Sequence, residues 1–453
     1  MGNLLSSLLA TAGAIKAYDR TLDVIQNNVS NASTPGYAAA RLNLVSQPFD
    51  PDSGRTGGVR TGTLESARDD FVEQSVWAQQ NATGEFTQKS ESLAPIEQIL
   101  GVTADAAIPA NLNQLFQSFS QLATTPNDSV QRSIVLDDAN QFASSVNAAS
   151  RALTDASSQT DRQIRNTLDQ INQIVGQVQE YNQAVGSGAV SHQDAGSDAT
   201  AYAALENLGQ LVDFSARRDA NGQFEIRLGT GQAPLLLGDR QSLLRVDLSH
   251  SRTGIQAANG ETVTSQFQSG KLAALLDTRN NLIPSYSSDL DRLAASVADR
   301  VNATLNNGVD ANGDAGQDMF WYNATQPAAT LAVAITDPAT LAAATADAPG
   351  GSGNAARLAA LAGQNLIDGG TFSRFYGTLA ARVGRQKASA DQDQQLHQQL
   401  LTQAQGVREQ TSGVSLDEEA TRLIQFQRAY QASAQLLSVL NQLTGTVINM
   451  LQG

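Results

Sequence analysis

NNVSNASTPGY (residues 27–37) interrupts a pattern that begins almost at the first methionine. Leu4, Leu8, Ile15, Tyr18, Leu22, Ile25 and Val29 follow one another in steps of three and four, once Thr11 fills the open slot. That spacing is the seam of a helix that packs lengthwise on another helix. Pro35 removes an N–H and drives Thr34 out of the α region, so the helix cannot continue. Pro35-Gly36 suits the centre of a type II turn, where glycine takes a positive φ. Asn27, Asn28 and Asn31 are placed to bond backbone groups that the ending helix leaves free. The turn set Asn28, Asn31, Thr34, Pro35, Gly36 and Tyr37 is therefore the first candidate functional feature.

The other end of the chain repeats the spacing. Leu423, Phe426, Tyr430, Leu437, Leu440, Val447 and Leu451 form a second seam, with Ser433 and Thr444 as polar members. Each buried Leu or Ile contributes roughly 1.5–3 kcal/mol. The two stripes are thus expected to pack on each other and on neighbouring copies.

The interior is also helical by pattern. Residues 66–100 and 110–123 carry mixed three–four apolar spacing, and Asn127 or Asp128 caps the next helix. From 129 to about 185 there is no proline and one glycine, Gly176. A continuous helix of that length would reach about 80 Å, a rod rather than a globule. Residues 269–306 and 371–411 predict two more long helices, and Pro284 kinks the first or marks its true start. Strands are few. Tyr37–Val45 with Val59–Leu64 reads as a long-tipped hairpin, and LVDFSARR-DANG-QFEIRLG as a second with an Asn-Gly turn. The predicted fold is mainly α with a smaller β part: a terminal coiled coil and an elongated helical-bundle middle with β-hairpins. The expected division is 1–36 with 412–453, then 37–204 with 250–411 carrying the hairpin at 37–64. An inserted β-hairpin subdomain at 205–249 and a short, variable, loop-rich segment at 308–365 complete it.

Composition narrows the function. Lys and Arg total 29 against 44 Asp and Glu, a formal net charge of −15. That balance opposes a phosphate-binding surface and any nucleic-acid partner. Without cysteine there are neither disulfides nor thiolate metal sites. No apolar run reaches the ~18–20 residues of a membrane span. The N-terminus lacks the basic start of a cleavable signal peptide. MGNLLS fits the loose myristoylation pattern through Gly2 and is read as a plain helix start.

Catalytic constellations are missing. His192, His250 and His397 lie far apart among polar residues and read as solvated. Asp310, Asn312 and Asp314 alternate like a calcium loop, but Ala315 stands at the sharp-turn glycine position and Trp321 at the bidentate glutamate position. GTGQAP (229–234) is a hairpin connection rather than a phosphate cradle, and LDEEATRL reads as an exposed helix start. No cofactor, metal or enzyme is expected. A wall hydrolase would need paired carboxylates in an aromatic cleft. A secreted coiled-coil adhesin would be a stable oligomer when free.

Two signatures raise a resemblance. NNVSNASTPGY resembles the N-terminal signature of the bacterial flagellar axial family of rod, hook and hook-associated proteins. SGVSLDEEATRLIQFQRAYQASAQLLSVLNQLTGTVINML (412–451), with QRAYQASA at 427–434, looks like that family's C-terminal signature. The interior stretches 121–147, 159–185 and 270–303, and the hairpin 221–238, resemble the hook-associated branch. ALENLGQL (204–211) departs from it by lacking an Arg-Asp pair, and 308–365 is short. The resemblance implies a structural flagellar subunit joining hook to filament, with hook or distal rod protein as the alternative. It implies export through the flagellar type III apparatus and an extracellular place on the flagellum. The implied partners are copies of itself in a ring, hook protein, a second junction protein (hook-associated protein 3) and an export chaperone at the C-terminal helix. Under it the terminal helices line the inner wall of a tube and order on assembly, and the turn is the exit to the outer part.

Overall fold

The computed structural model describes residues 2–50, 55–101, 107–191, 194–229, 233–249 and 251–452. Its elements in chain order are α1 (Gly2–Asn31), a hairpin of β1 (Ala40–Asp50) and β2 (Arg55–Ser66), then α2 (Asp70–Leu100), α3 (Ala107–Thr124), α4 (Ser129–Gly186) and α5 (Ala195–Leu211). Strands β3 (Phe214–Arg218), β4 (Phe224–Leu228), β5 (Pro234–Leu237) and β6 (Arg240–Gln241) form one antiparallel sheet, and β7 (Leu244–Asp247) pairs with β8 (Gly254–Ala257). Helices α6 (Gly270–Asp277) and α7 (Ile283–Leu305) follow. Short pieces come next: β9 (Gly308–Val309), β10 (Phe320–Trp321), α8 (Pro327–Thr330), β11 (Ala332–Val333), β12 (Ala344–Thr345) and α9 (Gly353–Ala360). The chain closes with α10 (Phe372–Ser412) and α11 (Leu416–Gln452).

The spine is α4, 58 residues long. Asp128 caps it, accepting from the Val130 N–H at 2.9 Å. Its apolar stripe serves two cores in succession. Val135, Phe142, Val146 and Leu153 join α3, α7, the start of α10 and the 319–367 span in the first core. Ile164, Ile171, Val175 and Val178 join α5, α6 and strands β3–β8 in the second. Between them Asp161 accepts from Arg279 Nε at 2.9 Å and from the Thr253 hydroxyl at 2.7 Å.

That bridge explains what happens before Pro284. The helix does not break there. It widens to a π turn over Thr278–Leu282, and Pro284 sits in the first turn of α7. A proline leaves one preceding carbonyl without its donor, and a wider turn relieves the clash. The same turn aims Arg279 at Asp161 and lets Asn280 bond both backbone groups of Thr253, at 2.8 and 2.9 Å.

Helices α2 and α10 run antiparallel: Tyr376 donates to the Leu100 carbonyl, Ser90 to Asp391, and Arg408 lies beside Glu73. The first hairpin starts three residues later than its sequence suggests, because Tyr37 closes the preceding turn through its N–H to the Thr34 carbonyl at 3.1 Å. It has a bulge between Leu42 and Leu44. The 308–365 span, patterned only as loop, sends Met319, Phe320, Leu331, Leu341 and Leu358 into the first core.

Candidate assembly interface

Helices α1 and α11 pack lengthwise and antiparallel. Asn28 meets Glu419 near one end, and the Tyr18 and Phe426 rings lie 6.0 Å apart farther along. On α1, Thr11 and Ile25 are buried, Leu4, Leu8, Ile15, Tyr18 and Leu22 are half-buried, and Val29 at the helix end is exposed. On α11, Leu423, Phe426, Tyr430, Ser433, Leu437, Leu440, Thr444 and Val447 are all half-buried. The Leu451 side chain lies outside the described residues. The polar members satisfy themselves: Thr11 donates to the Ser7 carbonyl at 2.8 Å and Thr444 to that of Leu440 at 2.7 Å.

A second face of α1 has no counterpart in the sequence reading. Ala10, Gly13, Ala17 and Thr21 lie against the hairpin: Arg20 reaches the Thr61 hydroxyl at 3.4 Å, and Ala17 and Thr21 are buried. Small side chains allow the close approach; a Cβ on Gly58 would sit 3.4 Å from that of Ala10. α1 is therefore held between hairpin and α11.

The turn joins this pair to the middle of the chain. Residues 34–37 form a type II turn with Gly36 at φ +73°. Gly36 is needed twice, since a Cβ there would also come within 2.4 Å of the Ala199 carbonyl oxygen on α5. Asn31 bonds back to the Asn27 carbonyl at 3.0 Å, as an amide at a helix end is expected to do. Asn28 behaves differently. Wholly buried, it accepts from the Ala40 N–H and donates to the Ala40 carbonyl, both at 2.9 Å, clamping the first residue of β1. Tyr37 donates its hydroxyl to Asn28 at 2.9 Å, and burial, then Glu419 and Asp194, push its pKa up to about 12. Ala39 N–H donates to the Ser412 carbonyl at 2.8 Å, so the chain's exit from α1 is bonded to its return into α11.

Charged residues complete the joint. Arg68, almost fully buried, bonds Glu73 and the Gly36 carbonyl and lies 3.6 Å over the Tyr202 ring. Arg408 contacts Glu206 at 2.6 Å and Glu73 at 3.6 Å. Arg218 pairs with Asp198, which also accepts from the Tyr181 hydroxyl at 2.8 Å. Sequence reasoning missed this set, because partners such as Glu73 and Arg408 lie hundreds of positions apart. It also took LDEEATRL as exposed; Glu419 is 3% exposed, since Asn28 and Tyr37 cover it.

The residues that tempted toward chemistry have structural work instead. His397 is half-buried, not solvated: it stacks on Phe86 at 5.2 Å and faces Gln79 at 3.2 Å. His192 and His250 lie outside the described residues. Asp310 spends its carboxylate on the N–H groups of Asn312 and Asp314, at 2.7 and 2.9 Å. Among the described residues no group of three or more His, Cys, Asp or Glu could hold a metal ion, and no helix is long and apolar enough to cross a membrane.

A family model for the helical domain of flagellar hook-associated protein FlgK matches residues 93–320, half of the chain. The chain belongs to the FlgK family of flagellar hook-associated proteins. Residues 407–450 match the C-terminal model of flagellar basal body rod FlgEFG proteins. The terminal helix is thus common property of rod and hook-associated subunits, and the interior carries the FlgK assignment. Flagellar hook-associated protein 1 of Bacillus subtilis (strain 168) is 27% identical over 96% of both chains. That of Escherichia coli (strain K12) is 22% identical over 98% of this chain and all of the relative. The solved flagellar hook junction protein FlgK from Burkholderia pseudomallei shares the fold, with TM-score 0.67 and 14% identity over 75% of this chain and all of that one. As a FlgK family member the chain is a structural, hook-associated component of the extracellular flagellum, built to assemble with other flagellar components.

Proposed function

We propose that this chain is the subunit that joins hook to filament, and that its terminal helix pair is the part built into the axial tube. One observation carries the reading. After α11 has packed on α1, a second three–four stripe stays open on it: Ala432, Leu436, Val439, Leu443, Thr446 and Met450. Leu436, Val439 and Leu443 are each about half exposed, at 52%, 51% and 49%. From Ala429 to the C-terminus there is no charged residue. A continuous uncharged seam of this kind suits further helices, not water.

Under this reading the seam positions named on α1 and α11 line the inner wall, where copies of the chain meet in a ring. The middle, with its two cores, forms the outer shell. The turn at 34–37, with Asn28 and Arg68, sets the angle between them. Hook protein lies on one side and the second junction protein, hook-associated protein 3, on the other. The open stripe is also what an export chaperone would cover before passage through the type III apparatus. No catalytic role is proposed: Asp198 is held by Arg218 and the Tyr181 hydroxyl, Glu73 by Arg68 and Arg408, and Asp310 by backbone N–H groups.

Immunogold labelling of sheared flagella with antibody to residues 211–248 tests the assignment. Gold in a narrow zone at the hook–filament boundary is expected. Gold along the whole hook would make the chain a hook subunit and overturn the proposal.

A further inference from the structure

The sheet that starts with β3 keeps one edge uncovered. The Asp213 carbonyl accepts from the Gly229 N–H at 2.9 Å, and the Asp219 N–H donates to the Gln223 carbonyl at 2.9 Å. Odd-numbered residues of β3 therefore bond β4, and the N–H and C=O groups of Phe214 and Ala216 point the other way. Nothing among the described residues bonds them, because β3 is the outer strand of its sheet. Neighbouring strands are treated differently. Asn182 accepts from the Phe224 N–H at 2.7 Å and donates to the Phe224 carbonyl at 2.8 Å. Asn172 holds Leu244 in the same way, at 3.0 and 2.9 Å. On β8 the Ile255 N–H donates to the Thr264 hydroxyl at 2.8 Å, and its carbonyl accepts from the Val263 N–H.

The open edge borders a notch of about 180 Å³ against α2. Gln74, Trp77, Ala78 and Asn81 form the helical wall, and residues 212–216 form the other. The Trp77 and Phe214 rings, 5.3 Å apart, give it an apolar surface. Helix α2 offers the strand no cap, since Asn81 spends its amide on the Gly209 carbonyl at 3.0 Å. Asp213 also lines the notch, and its carboxylate has neither an ion pair nor a hydrogen bond among the described residues. Burial pushes its pKa up from the ordinary carboxylate value. Backbone groups that face outward at every second residue, about 7 Å apart, are matched by an extended polypeptide. A helix, about 10 Å across with its side chains, is too wide for the notch. A half-buried carboxylate without a partner calls for a cation.

We propose that the open edge of β3 takes an extended segment of a neighbouring flagellar protein as an added strand, with a lysine or arginine of that segment paired to Asp213. The contact lies on the second core, away from the terminal helix pair. It rests on assembly into the flagellum and not on the junction assignment.

Amide exchange of the full wild-type chain, free and within isolated flagella, reads the added strand directly. The Ser215 and Arg217 amides, bonded to β4, should be protected in both states. Those of Phe214 and Ala216 should exchange freely in the free chain and slow by about tenfold or more in flagella. Two variants test the chemistry. Ala216→Pro removes an outward N–H and leaves the β3–β4 ladder intact. Its main thermal transition should be unchanged while incorporation into flagella falls about tenfold, and Ala216→Ser, which keeps the N–H, should incorporate normally. Asp213→Asn should also lower incorporation about tenfold. Equal exchange of Phe214 and Ala216 in the two states would overturn the inference, as would wild-type incorporation of folded Ala216→Pro or of Asp213→Asn. Should Ala216→Pro fail to fold, exchange in the wild-type chain and Asp213→Asn decide. Gold along the whole hook would remove the junction assignment and leave this contact standing.

Discussion

The middle of the molecule and its terminal helix pair obey different rules. In the middle, Phe119, Phe142, Tyr286, Leu293 and Tyr376 are essentially inaccessible to water, and both cores close within one chain. Among the described residues of the terminal pair, Ile25 is the only large apolar side chain fully buried; the other described apolar seam side chains stay partly exposed. A side chain left half exposed gains only part of the transfer free energy of burial. The middle is therefore self-sufficient, and the pair is completed by something outside the chain.

Paired substitutions break this comparison most sharply. Leu437→Asp or Leu22→Asp should leave the middle folded, with an unchanged main thermal transition, yet abolish incorporation into flagella. Phe142→Ala should do the reverse in solution. It removes an aromatic side chain from the first core and should cost about 3–5 kcal/mol in denaturant unfolding. If Leu437→Asp lowered the stability of the middle as much as Phe142→Ala, the division would be wrong.

The joint gives the next largest effects. Arg68→Met leaves the Glu73 carboxylate buried with only the longer Arg408 contact and frees the Gly36 carbonyl. A loss of about 3 kcal/mol is expected, along with an altered angle between the helix pair and the middle, read by small-angle scattering. Asn28→Ala strips both backbone groups of Ala40 of their partner. About 2 kcal/mol should be lost locally, seen as faster amide exchange at Ala39 and Ala40 with the cores unaffected. The smallest effect is alkaline. The folded state favours the neutral Tyr37 phenol, whose pKa rises from 10 to about 12. The stabilisation is complete below about pH 10 and is lost as pH rises toward 12. Tyr202, Tyr286 and Tyr376 are pushed the same way by burial. Tyr37→Phe should therefore flatten, not abolish, the decline of stability over that range in pH-dependent urea melts.

What the sequence discloses follows the same division. The seams were legible because a three–four spacing survives any detail of packing, and Ser129–Gly186 because nothing in it stops a helix. The turn was legible because Pro35 and Gly36 each restrict the backbone in one way. The use of Asn28 was not, since its partner Ala40 lies on an element whose position only the folded chain defines. The Arg68–Glu73–Arg408–Glu206 set was hidden for the same reason: ordinary surface residue types become a buried network when α2, α5 and α10 meet. The ordered 308–365 span was missed because its core residues, such as Met319, Leu331 and Leu341, are separated by turns and show no period. The resemblance to flagellar axial proteins rested on the two ends and its hook-associated branch on interior stretches such as 121–147 and 270–303, and the match over 93–320 bears that branch out.

Hydrogen exchange on the full chain, free in solution and within isolated flagella, tests the central claim most directly. Amides of α4 should be strongly protected in both states. Those of α1 and α11 should exchange readily in the free chain and become protected on assembly. Equal protection of α11 and α4 in the free chain would show that the helix pair needs no neighbour, and would contradict the account.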